Sequence, residues 1–433
     1  MPAYFADCHC HLFNIEDVPL YATISKVGSL PNSVLSLAAL FGLHKSEMKK
    51  HKAFIDFFDR QRRTNTEFLA KAVLDSIQSP ADEIPDLMIT PLIMDFDEIS
   101  DSLENVAYQT QRLCDEVSGA NIPEKAKVLP FIGLDLRKVS AWDHVSTRFD
   151  ELIAQCGGMK SIADRGNPAR LSNGDIIGVK LYPAIGFNPF AEKGASIIDA
   201  KRMAFYKLCA RRSIPITTHC QHSSFYGSDV NQKMADAFNH PSNWEKVLEQ
   251  MGEDSPRLNF AHFGGEKEIK RAVLPDVVYE ASGDKGPREK IARESWTHVL
   301  LRLLKTYEHT YADLSAFDYN DKDAVLALAW LLVLDEMDQL DSRLDLDLQP
   351  IKLKDKLLWG TDIPMILTNE KGGIAEKYSN YVSQFIKAMD IANLPKGTYD
   401  RPLKSKHTIP DQADLIERIT CNNPMRFLFG IEL

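Results

Sequence analysis

The chain has 433 residues, with 51 Lys and Arg against 61 Asp and Glu, which gives a formal net charge of −10. Hydrophobic residues make up 44% of the chain and charged residues 26%, a balance typical of globular proteins that argues against wholesale disorder. The negative charge and the lack of a long basic run argue against nucleic acid or a membrane surface as the main partner.

Other sequence features restrict the cellular setting. The longest uninterrupted apolar run covers residues 324–334, fewer than the roughly 18 residues that a membrane span requires. The N-terminus lacks the basic flank and apolar core of a signal peptide. The count of 7 cysteines is odd and contains no C-x-x-C pair, so a disulfide framework is not expected. These features predict a soluble, cytoplasmic protein with reduced cysteines.

Eight short apolar stretches recur along the chain, each rich in β-branched or aromatic residues and bounded by turn-forming residues, as is typical of buried parallel strands. The predicted strands cover residues 3–8, 87–94, 128–134, 176–182, 214–219, 257–262, 310–315 and 357–362. Helix-like segments lie between several of them, at residues 201–213, 243–251 and 289–307. This alternation predicts an α/β fold, a TIM (β/α)₈ barrel, with residues 1–433 forming a single domain.

The first two strands are separated by an unusually long segment, residues 14–86. It contains an apolar stretch, 34–43, and a charged amphipathic stretch, 45–77. Because loops that follow barrel strands emerge at the catalytic face, a helical insertion here could form a lid over the site. Helices packed outside the barrel or against a partner subunit are the alternative. After the last strand, residues 378–389 and 412–419 are predicted to be helical.

The segment DCHCH ends the first predicted strand. His9 and His11 are two residues apart, so on a strand they share one face and could chelate one divalent metal. Cys8 and Cys10 alternate with them and are expected to face the helices as small buried hydrophobes. This opposite parity argues against a zinc site built from cysteines and histidines.

Metal-binding residue types also end three later strands. His219 ends the fifth strand, His262 the sixth and Asp362 the eighth. The carboxyl ends of parallel strands meet at one end of a barrel, so these side chains are expected to converge with the first histidine pair. Imidazole and carboxylate ligands with an open position suit a catalytic divalent metal, and zinc is the expected ion.

The chain here resembles the amidohydrolase superfamily, in particular its amidohydrolase-related branch, which includes proteins similar to aminocarboxymuconate-semialdehyde decarboxylase. The matching segments follow the chain order of the family: DCHCH, GVKLYP, TTH, NFAHFGG, WGTDIP and NPMRFLFG. The resemblance implies that His9, His11, His219 and Asp362 bind the metal. It also implies that His262 acts as a base or positions the substrate. Segment 14–86 has no counterpart in this pattern.

Lys180 lies on the fourth predicted strand, where Gly178, Lys180 and Tyr182 share one face. Superfamily members with two metals use a carboxylated lysine on this strand as a bridge, whereas members with one metal do not. A single metal is favoured, with Lys180 and Tyr182 binding the substrate. Pairing of Lys180 with Asp135 is a structural alternative.

Further polar residues could line the rim of the site. Arg137 could anchor an anionic substrate group, or it could form a bracing pair with Asp135. His222 is expected to be a solvated loop residue. Asp313 and Ser315 point one way on the seventh strand, and the sequence assigns them no specific role.

These features predict a metal-dependent hydrolase that activates a metal-bound water against an amide, ester or lactone carbonyl. Asp362 and His262 are the expected proton-transfer residues. A decarboxylase acting on a small carboxylic acid is the alternative on the same site. A barrel that has lost catalysis and only binds a ligand is a third possibility, against which the complete ligand set argues. The substrate is expected to be a small molecule, and the sequence leaves monomer and homodimer open.

Overall fold

The computed structural model describes residues 4–12, 67, 70–71, 86–96, 104–190, 196–222, 225–227, 229–273, 292–340, 351–368, 374–393 and 409–432. The predicted helical insertion at 14–86 therefore lies outside the described residues, apart from 67, 70, 71 and 86. Within these ranges, no helix is long and apolar enough to cross a membrane.

The strands follow the predicted alternation closely. They are β1 Tyr4–Cys10, β2 Asp86–Pro91, β3 Ala126–Val128, β4 Phe131–Leu134, β5 Gly178–Leu181, β6 Ile216–Thr218, β7 Leu258–Phe260, β8 Thr310–Asp313 and β9 Leu357–Leu358. Every pairing between them is parallel. The carboxyl ends of the paired strands therefore lie at the same edge of their sheet.

The strands form two parallel sheets and not one continuous closed sheet. The first has the order β1-β2-β3, and the second runs from β4 to β9 in chain order. The division falls within the predicted third strand, at Pro130, which has no backbone N–H to donate to a ladder. Backbone bonds join the sheets on both sides, from Ile93 N to Phe131 O at 3.0 Å and from Cys8 N to Trp359 O at 3.0 Å.

Helices follow most strands. They are α1 Glu104–Ser118, α2 Leu136–Ala141, α3 Val145–Gln155, α4 Ile162–Arg165, α5 Ser196–Arg211, α6 Gln232–Asn239, α7 Ser242–Met251, α8 Glu266–Val273, α9 Trp296–Thr306, α10 Lys322–Glu336, α11 Ile374–Ala388, α12 Gln412–Glu417 and α13 Asn423–Phe429. Within the predicted helix at 289–307, residues 292–293 are helical and a turn at 294–295 separates them from α9. Helix α9 begins at Trp296, where Ser295 accepts a hydrogen bond from His298 N as the N-cap. The longest apolar run of the sequence lies in α10, which Asp321 caps and which is buried along most of its length.

Two hydrophobic clusters form the core. The larger lies where strand residues such as Val179, Ile216 and Leu258 meet the helices. The smaller combines residues of β1, β2, β4, β8 and β9 with α13, and the Phe427 ring lies 5.6 Å from that of Tyr311. The C-terminal helix thus packs against strand side chains of both sheets.

The cysteines correct one expectation. All seven are buried and none forms a disulfide, as the sequence predicts. Cys8 and Cys10 do not share one environment, however, because Cys8 packs in the smaller cluster and Cys10 in the larger. The cause is an irregularity in β1, which also orients the histidines of the candidate site.

Candidate metal centre

A β-bulge in β1 presents both histidines of the DCHCH segment to the same site. Asp7 pairs with Ile89 and Cys10 with Pro91, so three steps along β1 match two along β2 and one residue is extra. Bulges redirect side chains and are frequent beside active sites. Here the bulge separates Asp7 from His9: the Asp7 carboxylate accepts from Tyr378 OH at 2.8 Å, whereas the His9 ring faces β8.

Hydrogen bonds orient the rings of His9 and His11. His9 Nδ1 lies 3.0 Å from Asp313 Oδ2, and His11 Nδ1 lies 2.7 Å from the carbonyl oxygen of Leu92. Both partners are acceptors, so Nδ1 carries the proton in each ring. In the neutral form of such a ring, Nε2 bears a lone pair and is an acceptor. Both Nε2 atoms approach Asp362 Oδ1, at 3.4 Å from His9 and 3.2 Å from His11.

These short approaches between acceptor atoms require a positive charge. Two lone pairs and a carboxylate oxygen repel one another unless a proton or a cation is shared among them. Burial lowers the pKa of His9 to about 3, and the charge of Lys180 acts in the same direction, so protonation of this ring is disfavoured at neutral pH. His9 Nε2 is also buried without a hydrogen-bond partner in the described part of the chain. A divalent cation fits this donor set.

Asp362 and His262 reach the site from strained loops. Both hold left-handed backbone conformations, with φ of 55° and 68°, which cost non-glycine residues on the order of 1–3 kcal/mol. Ligand atoms of His9, His262 and Asp362 all lie within 4.8 Å of one another. Asp362 N also donates to His9 O at 2.7 Å, which ties the loop after β9 to β1.

Gly360 allows this close approach of the two strands. A Cβ atom at position 360 would lie 2.7 Å from His9 Cβ and 3.1 Å from His9 N. Only glycine fits here without displacing the β1 backbone beside the first histidine. The glycine of the WGTD segment is thus explained by packing against the site.

The histidines after β6 and β7 lie beside each other. His219 Nδ1 is 3.2 Å from His262 Nε2, and both rings are buried. The Tyr182 ring covers His219 with a centroid separation of 4.4 Å. His9 and His11 therefore lie beside Asp362, and His219 lies beside His262, whose ligand atom forms one group with those of His9 and Asp362. The predicted division into ligands and base stays a prediction.

Charge within the site follows from burial and from neighbouring groups. Burial acts to raise the pKa of Asp362, but the short contact with His11 and positive charge placed beside the carboxylate outweigh this effect and hold the pKa well below its usual range. Burial lowers the pKa of His262. Burial thus favours the neutral rings of His9 and His262 beside the carboxylate of Asp362, and neutral imidazole is the form that binds a divalent metal.

Lys180 lies on β5 and is 1% exposed. Its Nζ has no hydrogen-bond partner among the residues that the structure describes, so the predicted pairing with Asp135 is not seen. Burial lowers its pKa to about 8, against the opposing effects of Asp313 and Asp362. An ammonium group without a partner beside a metal site is a candidate for binding an anion.

The rim residues differ from the sequence prediction in detail. The strand ends at Leu134, so Asp135 is the N-cap of α2 and Arg137 lies inside that helix. Asp135 Oδ2 accepts from Arg137 Nε at 2.8 Å and lies 2.7 Å from Nη2. The bracing pair is therefore present, and a role of Arg137 in substrate binding stays a prediction.

His222 is not the simple solvated residue that the sequence predicts. Its Nδ1 lies 3.3 Å from Asp236 Oδ2 and its Nε2 lies 3.5 Å from Glu268 Oε1. Its ring covers Trp296 with a centroid separation of 3.9 Å. Burial acts to lower the pKa of His222, but its hydrogen bonds with the two carboxylates outweigh this effect and raise the pKa to about 9.

A large cavity lies away from these residues. It measures about 860 Å³ and is lined by the segments that precede β6, β7, β8 and β9, including Arg257, His309 and Lys356. This is the end of the sheet opposite the histidines. No residue of the predicted site lines it, so cavity size does not identify the candidate site here.

Comparisons with known proteins give no family assignment. No family model matches the chain, and no curated protein matches it. A protein from Acinetobacter baumannii, named provisionally as a 2-pyrone-4,6-dicarboxylic acid hydrolase and solved with citric acid bound, is 14% identical and covers 99% of each chain at a TM-score of 0.40. A Lactobacillus casei protein named provisionally as a metal-dependent hydrolase is 12% identical over 99% of this chain and 96% of its own, also at 0.40. A TM-score this low establishes neither a shared fold nor a shared activity.

Proposed function

We propose that the protein is a metal-dependent hydrolase of small molecules, with its site at the carboxyl ends of a barrel formed by the two sheets together. The observation that carries the proposal is the approach of His9 Nε2 and His11 Nε2 to Asp362 Oδ1, at 3.4 and 3.2 Å, while Nδ1 of each ring is already hydrogen-bonded. His219 and His262 supply the further donors. Zinc is the expected ion, because imidazoles with one carboxylate suit it.

The chain's own residues can carry the proton transfers of hydrolysis. A bound divalent metal supplies Lewis acidity, which lowers the pKa of water and polarises a carbonyl. In the proposed reaction Asp362 accepts the proton of the attacking water and returns it to the leaving group. The neutral His262 ring lies beside Asp362, where it can donate to or accept from the substrate.

Lys180 would select the substrate in this proposal. Its buried ammonium group lacks a hydrogen-bond partner in the described ranges, and an anionic oxygen of the substrate could supply one. A carboxylated Lys180 that bridges two metals is the competing use of the same position. Metal stoichiometry separates the two, because one equivalent supports substrate binding and two equivalents with a carbamate on Lys180 support the bridge.

The proposed function is tested by metal analysis followed by an activity screen. Purified protein is expected to contain about one equivalent of zinc. His9→Ala should lose both the metal and activity, whereas the matched variant His309→Ala, at the opposite end of the sheet, should keep both. Small amides, esters and lactones test hydrolysis, and aromatic carboxylates test the alternative. If the enzyme releases CO₂ from a carboxylate and hydrolyses none of the other compounds, the hydrolase proposal is wrong and the alternative, a decarboxylase, takes its place.

A further inference from the structure

Asp313 is a buried carboxylate at the end of β8, and both of its oxygens accept hydrogen bonds from several groups. Its side chain is 0% exposed. Oδ2 lies 3.0 Å from His9 Nδ1 and accepts from Asn259 Nδ2 at 2.7 Å. Oδ1 accepts from His262 N at 2.9 Å, from Ser315 N at 3.1 Å and from the Ser315 hydroxyl at short range. These partners come from two strands, β1 and β7, and from the loops that follow β7 and β8.

The donors around Asp313 determine where the His9 proton lies. The amide of Asn259 and the backbone N–H groups of His262 and Ser315 can only donate to it. With so many donors, Asp313 is an acceptor on both oxygens. The His9 ring must therefore carry its proton on Nδ1 and present the lone pair of Nε2 to the candidate metal site.

Ser315 extends this control to a second ring. Its single hydroxyl proton is given to Asp313 Oδ1, so Ser315 Oγ acts as an acceptor towards His262 Nδ1 at 2.9 Å and also towards His9 Nδ1 at 3.0 Å. The carbonyl oxygen of Ser315 lies 3.2 Å from the same nitrogen and is also an acceptor. His262 Nδ1 thus carries a proton, and its Nε2 is a lone pair that faces His219 Nδ1.

We infer that Asp313, acting directly on His9 and through Ser315 on His262, is a positioning residue that sets the tautomers of both rings and thereby the affinity of the site for its metal. The inference deepens the proposed function, since it rests on a metal site at these residues. Asp313 touches neither metal nor substrate in it. Outer partners of this kind commonly change metal affinity by about 10–100-fold.

An amide in place of the carboxylate cannot satisfy the same partners. If the amide oxygen of the Asp313→Asn variant faced His9, its NH₂ group would face the N–H groups of His262 and Ser315, donor against donor. If the amide were flipped, its NH₂ group would face His9 Nδ1 and force the His9 proton onto Nε2, where it blocks metal binding. Either arrangement breaks one part of the network while the volume of the side chain stays the same.

The test begins with the tautomers of the metal-free protein, read from ¹⁵N NMR of labelled histidines. In the unmodified chain, His9 and His262 are expected to be protonated on Nδ1 and unprotonated on Nε2. A wild-type spectrum with His9 protonated on Nε2 overturns the inference even if no variant folds. This readout needs no activity, so it stands apart from the hydrolase proposal. A wild-type chain that binds no zinc would refute the proposed function and not the tautomer assignment.

Zinc titration of variants supplies the second readout. Asp313→Asn is expected to bind zinc about 10–100-fold more weakly, with a changed histidine spectrum. Ser315→Ala should lose less than about 10-fold, because Asp313 still accepts from His9 and the Ser315 carbonyl still accepts from His262. The control Asp318→Asn changes an exposed carboxylate a few residues away and should match the wild type. Unchanged zinc affinity in folded Asp313→Asn would overturn the inference.

Discussion

His262 is the residue for which the structure allows two distinct roles. Sequence resemblance places it outside the metal's ligands, as a base or a substrate-positioning residue. In the structure its Nε2 lies 3.2 Å from His219 Nδ1, within the group that also holds His9 and Asp362. One of the two nitrogens can donate to the other, or both can face a shared cation. These arrangements assign different roles to the same ring.

Substitution of His262 distinguishes them. We expect His262→Asn to retain its zinc and to lose turnover by about 10²–10⁴-fold, since general acid–base groups contribute rate factors of that size. Metal content per folded chain and turnover on a substrate found in the screen are the measurements. Zinc loss equal to that of His9→Ala would identify His262 as a ligand instead. Unchanged turnover would remove it from the mechanism.

At the scale of elements, the contact between β1 and the loop after β9 is the closest in the site. Gly360→Ala would place a Cβ atom 2.7 Å from His9 Cβ, and the rigid β1 backbone leaves little room to adjust. We expect the free energy of unfolding to fall by about 1–3 kcal/mol, as for other overpacked sites, and zinc affinity to fall with it. Chemical denaturation and zinc titration measure the two effects.

The control for this substitution is Gly119→Ala. A Cβ at position 119 would meet its nearest atom, Asp115 O, at an ordinary 3.4 Å. This variant should leave zinc affinity unchanged. If Gly360→Ala also left both quantities unchanged, then β1 and the loop after β9 would not be held as closely as described.

His222 forms ion-pair contacts that connect the loop after β6 with helices α6 and α8. The loop after β6 carries it, and its two ring nitrogens face Asp236 of α6 and Glu268 of α8. Only the imidazolium has two N–H donors, so both contacts are satisfied only when the ring is charged. Arg271 and His240 are titratable groups nearby: Arg271 pairs with Glu268 at 3.0 Å, and His240 packs on Trp296.

This arrangement predicts a pH-dependent stability. The folded pKa of His222 is raised from 6.5 to about 9, so its contribution is complete below about pH 6.5 and is lost as the pH rises through 9. His222→Gln should therefore unfold at lower denaturant concentration than the wild type near pH 6. The difference should narrow towards pH 10. A difference that stays constant over this range would show that protonation of His222 does not stabilise the fold.

At the scale of the whole molecule, residues 67, 70 and 71 are the described residues of the long segment 14–86 that precede β2. Glu67 Oε1 accepts from Asn121 N at 2.6 Å, and Asn121 precedes β3, at the end of the sheet opposite the histidines. Ala70 is fully buried in the larger cluster. Glu67 thus contacts the described fold at the end opposite the histidines. Both predicted placements of the segment, a lid and helices packed outside the barrel, stay predictions, because most of the segment lies outside the described residues.

Two deletions test whether the segment between β1 and β2 forms a lid. Removal of residues 30–60 should leave folded protein with its zinc and abolish turnover if that part closes over the site. Removal of residues 30–80 takes Ala70 out of the core as well and should yield little folded protein. Circular dichroism, metal content and turnover test both. Full activity of the shorter deletion would exclude a lid from residues 30–60.

The sequence alone identified the order of the strands and the residue types at their ends. Both properties are local: apolar runs bounded by turn residues predict strands, and parallel strands bring their carboxyl ends together wherever they fall in the chain. His9, His11, His219, His262 and Asp362 could therefore be named before any contact was known. Pro130, which divides the third predicted strand, was also visible in the sequence, and its lack of an N–H explains the break.

The tertiary structure alone decided how these residues are oriented. The bulge in β1 depends on its register with β2, so strict alternation placed Cys8 with Cys10 wrongly. Asp313 acts on His9 across 304 positions in the chain, and no periodicity relates residues that far apart. The Arg137 side chain binds Asp135 because helix α2 begins directly after β4 and places the two residues at its first turn. Orientation and proton position depend on partners from other elements, and those partners meet only when the chain is folded.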